Sequence, residues 1–176
     1  MEYFEIQGGK RLKGEIEVRG SKNAATPILA ATLLTKEKCI ISNIPLIEDV
    51  FRLIEILESM GARVKWLGKR KLSIQTDNID PSKIDFELMK KIRSSILLLG
   101  SLSARFDNFK ISHPGGCIIG ARPMGTHFDA LQKMGVEINQ DGKFYFINAK
   151  KRKCAKIVLK EFSVTGTENA MMWAVG

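Results

Sequence analysis

The residues best suited to chemistry lie in one short stretch, His113-Pro114-Gly115-Gly116-Cys117-Ile118-Ile119-Gly120-Ala121-Arg122-Pro123. Consecutive glycines let a backbone approach a ligand closely or take conformations closed to other residues. Cys117 follows them directly, on a segment read as exposed, whereas Cys39 falls within an apolar strand and reads as packing. Five residues on, the Arg122 guanidinium can grip a carboxylate or phosphate through two parallel bonds. Pro123 then leads into a helix whose N-terminus adds partial positive charge. A thiol, an anion clamp and a helix end together predict a catalytic loop for an anionic substrate, with a structural turn holding a buried cysteine as the competing reading.

Two more segments place basic residues at helix starts. In Gly20-Ser21-Lys22-Asn23, Lys22 opposes the helix dipole, so an anionic ligand is expected to offset it. Asn23 either caps this helix or turns its amide to a ligand, and Ser21 is the competing cap. In Lys90-Lys91-Ile92-Arg93-Ser94-Ser95, Arg93 takes the position corresponding to Lys22. A third segment, Ser163-Val164-Thr165-Gly166-Thr167-Glu168-Asn169, offers hydroxyls and backbone donors suited to a diphosphate or a uracil-like edge.

The elements that must hold these residues are mixed α/β. Short strands are expected at Phe4–Ile6 and Glu15–Val18, and a helix at Asn23–Leu34 with Pro27 near its first turn. A strand at Cys39–Ser42, an amphipathic helix at Glu48–Met60 stopped by Gly61, and a hairpin of Arg63–Leu67 and Lys71–Gln75 follow. The series then repeats: one helix over Phe86–Ser103, a strand Phe109–Ser112, the glycine loop, a helix Thr126–Met134 stopped by Gly135, and a hairpin Val136–Asn139/Phe144–Asn148 turning at Asp141-Gly142. Leu57-Glu58-Ser59-Met60-Gly61 is echoed by Leu131-Gln132-Lys133-Met134-Gly135, 74 residues on. A third copy starts with a strand at Lys156–Lys160 and a helix at Thr167–Val175, then stops, which predicts a truncated chain.

Composition narrows the function classes. The 176 residues carry a net charge of +9, 44% hydrophobic residues and three cysteines without a CxxC pair. A disulfide framework is not suggested, and two histidines are too few for most metal sites. No stretch is long and apolar enough to span a membrane, and the acidic N-terminus lacks signal-peptide order, so a cytoplasmic location is expected. The basic runs Lys69–Lys71 and Lys150–Lys153 leave an RNA-binding module as a rival, weakened because no aromatic pair stands ready to stack bases.

The motifs GSKNAA, KIRSS, PGGCIIGARP and SVTGTENAMM, in this order along the whole chain, resemble the UDP-N-acetylglucosamine enolpyruvyl transferases (1-carboxyvinyltransferases). The resemblance implies an α/β enolpyruvyl-transferase fold of two domains, each of three βαβαββ-type units around buried helices (an inside-out α/β barrel), with the active site between them. It assigns residues 1–21 to the second domain and divides residues 22–176 into units 22–80, 81–150 and a truncated 151–176. The implied reaction moves enolpyruvyl from phosphoenolpyruvate to the 3′-hydroxyl of UDP-N-acetylglucosamine, releasing phosphate, with no cofactor or metal and no nucleic-acid or membrane partner. This would be the first committed step of peptidoglycan synthesis, tied to cell shape, cell cycle and division, and the target of fosfomycin.

Carried over by position, Cys117 resembles the residue that protonates phosphoenolpyruvate and can form an adduct with it. Lys22, Asn23 and Arg122 resemble the phosphoenolpyruvate ligands. Arg93, Arg122, Pro123, Met124, Gly125, Thr126, Ser163 and Val164 resemble the UDP-sugar contacts. The strip RPMGT departs from the family in side chains, and Glu161 puts an acid near an expected diphosphate. The catalytic aspartate and further arginines are expected beyond residue 176, in the missing C-terminal half, leaving this chain inactive alone. A truncated inactive or regulatory paralogue shares every motif and is the other alternative.

Overall fold

In the computed structural model, which describes residues 3–115 and 124–176, two copies of one unit pack on a shared helical core. In the first, strand β1 (Cys39–Ser42) is followed by helix α2 (Glu48–Ser59), which in turn follows α1 (Lys22–Ala31) in the chain. A hairpin of β2 (Arg63–Gly68) and β3 (Lys71–Gln75) returns so that β3 lies between β1 and β2, antiparallel to both. The second copy repeats this order with β4 (Asn108–Ser112), α5 (Gly125–Lys133), β5 (Glu137–Asp141) and β6 (Phe144–Asn148), and β6 is central.

The repeat extends to individual hydrogen bonds. Helix α2 ends where Gly61 takes φ +105°, and α5 where Gly135 takes φ +100°, a left-handed conformation that favours glycine. Ala62 N–H donates to the Leu57 carbonyl at 3.0 Å, and Val136 N–H to that of Leu131 at 3.1 Å. Both turns are closed on the outside too. A side chain at Gly61 would meet the Asn78 carbonyl at 2.6 Å, and one at Gly135 the Lys151 carbonyl at 2.7 Å.

Apolar periodicity explains what faces inward. Helix α2 buries Val50, Leu53, Ile54, Ile56 and Leu57 along one side, with Arg52 on the other pairing with Glu48 and Glu55. Strand β3 buries Leu72 and Ile74 in alternation, and β6 buries Tyr145 and Ile147. At the centre, α4 (Leu98–Arg105) is buried from Leu98 to Ser103 and packs against α6 (Val164–Val175). Cys39 is half-buried on β1 against this core, as expected of a packing residue, while Cys154 is exposed.

Three expectations are corrected. The strands at Phe4–Ile6 and Glu15–Val18 do not form: residues 3–20 carry no helix or strand, and Phe4, Ile6, Ile16 and Val18 are all exposed. Alternation alone makes no strand, because its N–H and C=O groups need a partner edge. For the same reason no strand forms at Lys156–Lys160. In the two units described, the returning hairpin supplies that partner, and among the described residues no strand pairs with 156–160. The single helix over Phe86–Ser103 is instead three pieces: α3 (Phe86–Met89), a 3-10 turn Arg93–Leu97, and α4. The break is held by tertiary bonds. Gly115 N–H lies 3.0 Å from the Met89 carbonyl and 3.2 Å from that of Ile92, and the Ser95 hydroxyl reaches the same two carbonyls.

Helix α6 starts earlier than its apolar run suggests, because Ser163 caps it by accepting a hydrogen bond from Gly166 N–H at 3.0 Å. Among the described residues, no helix is long and apolar enough to cross a membrane.

Candidate active site

Three helical starts open on one cavity of about 600 Å³, a size that suits a small-molecule ligand. Lys22 is the first residue of α1, Arg93 the first of the 3-10 turn 93–97, and Val164 the first of α6. All three line the cavity, with Asn23, Ser163 and Thr165 beside them. The dipoles of these starts and the two cations favour an anion, against the carboxylates of Asp49, Glu161 and Glu168 that share the lining. The chain thus brings together Lys22, Asn23, Arg93, Ser163 and Val164 from segments up to 142 residues apart.

The local roles are settled by geometry. Ser21 is the N-cap residue of α1, although its hydroxyl makes no capping bond, and Asn23 lies inside the helix and faces the cavity. Lys22 Nζ sits 3.4 Å from Asp49 Oδ1. An internal carboxylate therefore offsets part of the charge for which an external anion was expected. Lys22 is half exposed, so this pair is weak and open to competition by a ligand.

The strip that opens α5 is divided. The Met124 side chain is buried in the core, Gly125 is exposed, and Thr126 is buried with its hydroxyl donating to Glu161 Oε1 at 3.0 Å. None of these three is among the residues that line the cavity, and the Thr126 hydroxyl is engaged by Glu161. Glu161 does line it, held by Thr126. Cys117, Arg122 and Pro123 lie outside the described residues.

Thr165 and Glu168 entered the sequence reading only as members of the segment that opens α6, and the cavity residues Asp49 and His127 were not marked as site residues by sequence. Their partners are distant in the chain, 27 residues for Asp49 with Lys22 and 38 for His127 with Thr165, so no local spacing announces them. His127 Nε2 lies 2.9 Å from Thr165 Oγ1, tying the start of α5 to the start of α6. Burial, followed by the charge of Arg93, pushes the His127 imidazole down to about 4. Burial also raises the Glu168 carboxyl.

A pH dependence follows. With its affinity for a proton depressed by folding, His127 is neutral in both states above about pH 6.5 and contributes no penalty there. As pH falls towards 4 the unfolded chain takes up a proton that the folded one resists, so stability is lost across this window. Between pH 7 and pH 4.5 the loss from this one group should be about 2 kcal/mol. Urea midpoints for the wild type and His127→Gln at both pH values check it; an equal pH slope in the two proteins would show that His127 is not responsible.

The architecture has known counterparts. The family model for EPSP synthase (3-phosphoshikimate 1-carboxyvinyltransferase) matches residues 6–176. The chain belongs to the EPSP synthase family. Among solved structures, the enolpyruvyl transferase NikO from Streptomyces tendae superposes with a TM-score of 0.77 at 20% identity, covering 94% of this chain and 39% of that one. EPSP synthase from Acinetobacter baumannii superposes with a TM-score of 0.72 at 18% identity over 94% of this chain and 39% of that one. These establish the enolpyruvyl-transferase fold that the resemblance implied.

Sequence relatives within the family are more similar. A UDP-N-acetylglucosamine 1-carboxyvinyltransferase from Campylobacter hominis is 42% identical over 99% of this chain and 41% of its own length. One from Carboxydothermus hydrogenoformans is 48% identical over 99% of this chain and 41% of its own length. The chain therefore spans about two fifths of the length of these relatives.

Proposed function

We propose that this chain is the substrate-binding part of an enzyme that transfers enolpyruvyl from phosphoenolpyruvate to the 3′-hydroxyl of UDP-N-acetylglucosamine, with release of phosphate. The observation that carries this reading is the cavity where Lys22, Asn23, Arg93, Ser163 and Val164 converge. The names of the relatives support UDP-N-acetylglucosamine as the acceptor and carboxyvinyl transfer as the reaction, and in this reading the step stands at the entry to peptidoglycan synthesis. Nothing favours an RNA-binding module. The basic run at Lys150–Lys153 is partly used inside the fold: Lys151 pairs with Glu137, and Arg152 donates to the Ala104 carbonyl while lying over the Trp173 ring.

In this reading Lys22 and Arg122 hold the carboxylate and phosphate of phosphoenolpyruvate, and Asn23 orients it. Arg93 and the start of α6 bind the diphosphate of the sugar nucleotide. Cys117 gives a proton to carbon 3 of phosphoenolpyruvate, making carbon 2 electrophilic, and the sugar hydroxyl adds there. The tetrahedral intermediate then expels phosphate. The base that removes the hydroxyl proton belongs to a second domain, to which the exposed residues 3–20 also contribute. The reaction places the enzyme in the cytoplasm with its nucleotide-sugar substrate.

The full-length enzyme should release phosphate from phosphoenolpyruvate only when UDP-N-acetylglucosamine is present, whereas the 176-residue chain alone should release none. Phosphate release with 3-phosphoshikimate as acceptor instead would sink the assignment. Fosfomycin, an epoxide that mimics phosphoenolpyruvate, should alkylate Cys117 in the full-length enzyme. Peptide mass mapping that finds the adduct on Cys39 or Cys154, or finds none, would contradict this placement of the thiol.

A further inference from the structure

His127 is a histidine enclosed where charge is about to change. Only 4% of its surface is exposed, yet it forms part of the wall of the cavity that Lys22 and Arg93 also line. Its Nε2 is bonded to the Thr165 hydroxyl, and its Nδ1 is buried without a hydrogen bond of good geometry. Arg93 from the 3-10 turn and Glu161 from the segment before α6 act on it electrostatically, and the other charged residues of the cavity lining are Lys22 from α1, Asp49 from α2 and Glu168 from α6. Burial first and Arg93 second disfavour the imidazolium, and the Met124 backbone and Glu161, which favour it, do not reverse them.

We propose that His127 takes up a proton from solvent when a ligand carrying a diphosphate dianion settles in this cavity, becoming a third cation facing the ligand. The inference rests on the reading of the cavity as a nucleotide-sugar site. Two negative charges seated beside Arg93 offset the cation that, after burial, disfavours the imidazolium, and they favour its charged form directly. Both ring nitrogens then donate. Nε2–H points to Thr165 Oγ1, which leaves the hydroxyl proton of Thr165 free to turn into the cavity and donate to the ligand. In the neutral ring, one tautomer instead draws that hydroxyl proton onto Nε2 and presents only lone pairs to an anion. Protonation thus adds one cation and secures one donor, with one proton bound per ligand.

The chain has two histidines, so imidazole nitrogen NMR resolves His127 with His113, which lies outside the cavity, as internal reference. The probe is UDP-N-acetylglucosamine at saturating concentration, whose diphosphate diester keeps its charge from pH 4.5 to 7.5. We expect the His127 midpoint to rise by about two units from its ligand-free value, with binding about tenfold tighter at pH 5 than at pH 7. His127→Gln should bind at pH 7 and lose most of that pH dependence. Glu168→Gln should keep it, which separates His127 from the half-buried carboxyl in the same cavity lining. If the ligand shifts the resonances of Asn23 and Thr165 but leaves the His127 midpoint unmoved, the proton-uptake proposal fails and the nucleotide-sugar reading survives. If no cavity resonance shifts at any pH, both fail.

Discussion

Replacing Cys117 by alanine in the full-length enzyme is expected to lower kcat by about 10²–10⁴-fold, the usual contribution of a placed general acid. The thiol must be neutral to give a proton, and a free cysteine titrates near 8.5, so at pH 7 the neutral form dominates. Cations such as Lys22 and Arg122 would shift that balance towards thiolate. In the proposed reading, the carboxylate and phosphate of bound phosphoenolpyruvate would offset those charges and keep the proton on sulfur at the moment it is required. The substitution should therefore reduce kcat far more than it raises KM for either substrate, because the lost interaction belongs to proton transfer rather than to binding. Solvent deuterium should also cease to enter the methylene group of the product. A Cys117→Ala enzyme within threefold of the wild-type kcat would remove the thiol from the chemistry and leave it at most a bystander that electrophiles can reach.

The second large effect concerns stability. Gly100→Ala, a change that ordinarily strengthens a helix by about 1 kcal/mol, is expected to destabilise this protein by about 2–4 kcal/mol. Gly100 lies in the first turn of α4, where α6 crosses so closely that a methyl group would come within 2.8 Å of Asn169 Cα and of Asn169 Oδ1, and nearer still to its carbonyl oxygen. The Asn169 side chain is fully buried and bonded at both ends, accepting from Gly100 N–H at 2.6 Å and donating to the Ile96 carbonyl at 3.0 Å. Neither helix can retreat without opening the core around Leu99 and Trp173 and leaving those groups unsatisfied. Asn169→Ala, which removes the bonds but not the space, should cost about 1–3 kcal/mol. Urea unfolding of both variants checks the pair. A Gly100→Ala protein as stable as the wild type would mean that α4 and α6 are not in contact as described.

Much of the architecture was legible because it rests on local rules used twice. The apolar stripe Val50, Leu53, Ile54 and Leu57 defines α2, and the matching Met-Gly endings at Met60-Gly61 and Met134-Gly135 mark two copies of one unit. The Asp141-Gly142 pair fixes the second hairpin, with Gly142 at φ +57°. Where the reading failed, the deciding partner was remote. Phe86–Ser103 is a good helical sequence, but Gly115 and Ser95 engage the carbonyls of Met89 and Ile92 and hold the chain extended there. The alternating residues around Phe4 and Ile16 have the pattern of strands without an edge to join.

The site divides along the same line. Residue type and position within each segment were enough to mark Lys22, Arg93 and Ser163–Val164 as helix starts fit for an anion, because dipoles and capping act within one turn. The motif order was enough to indicate the enolpyruvyl-transferase family. That these starts face one cavity is a consequence of how the units pack on α4 and α6, and no segment carries that information alone. The same packing sets Asp49 against Lys22 and encloses His127 beside Arg93. Charge type is written in the chain residue by residue. The field each charge experiences is a sum over neighbours and burial, and folding alone supplies those.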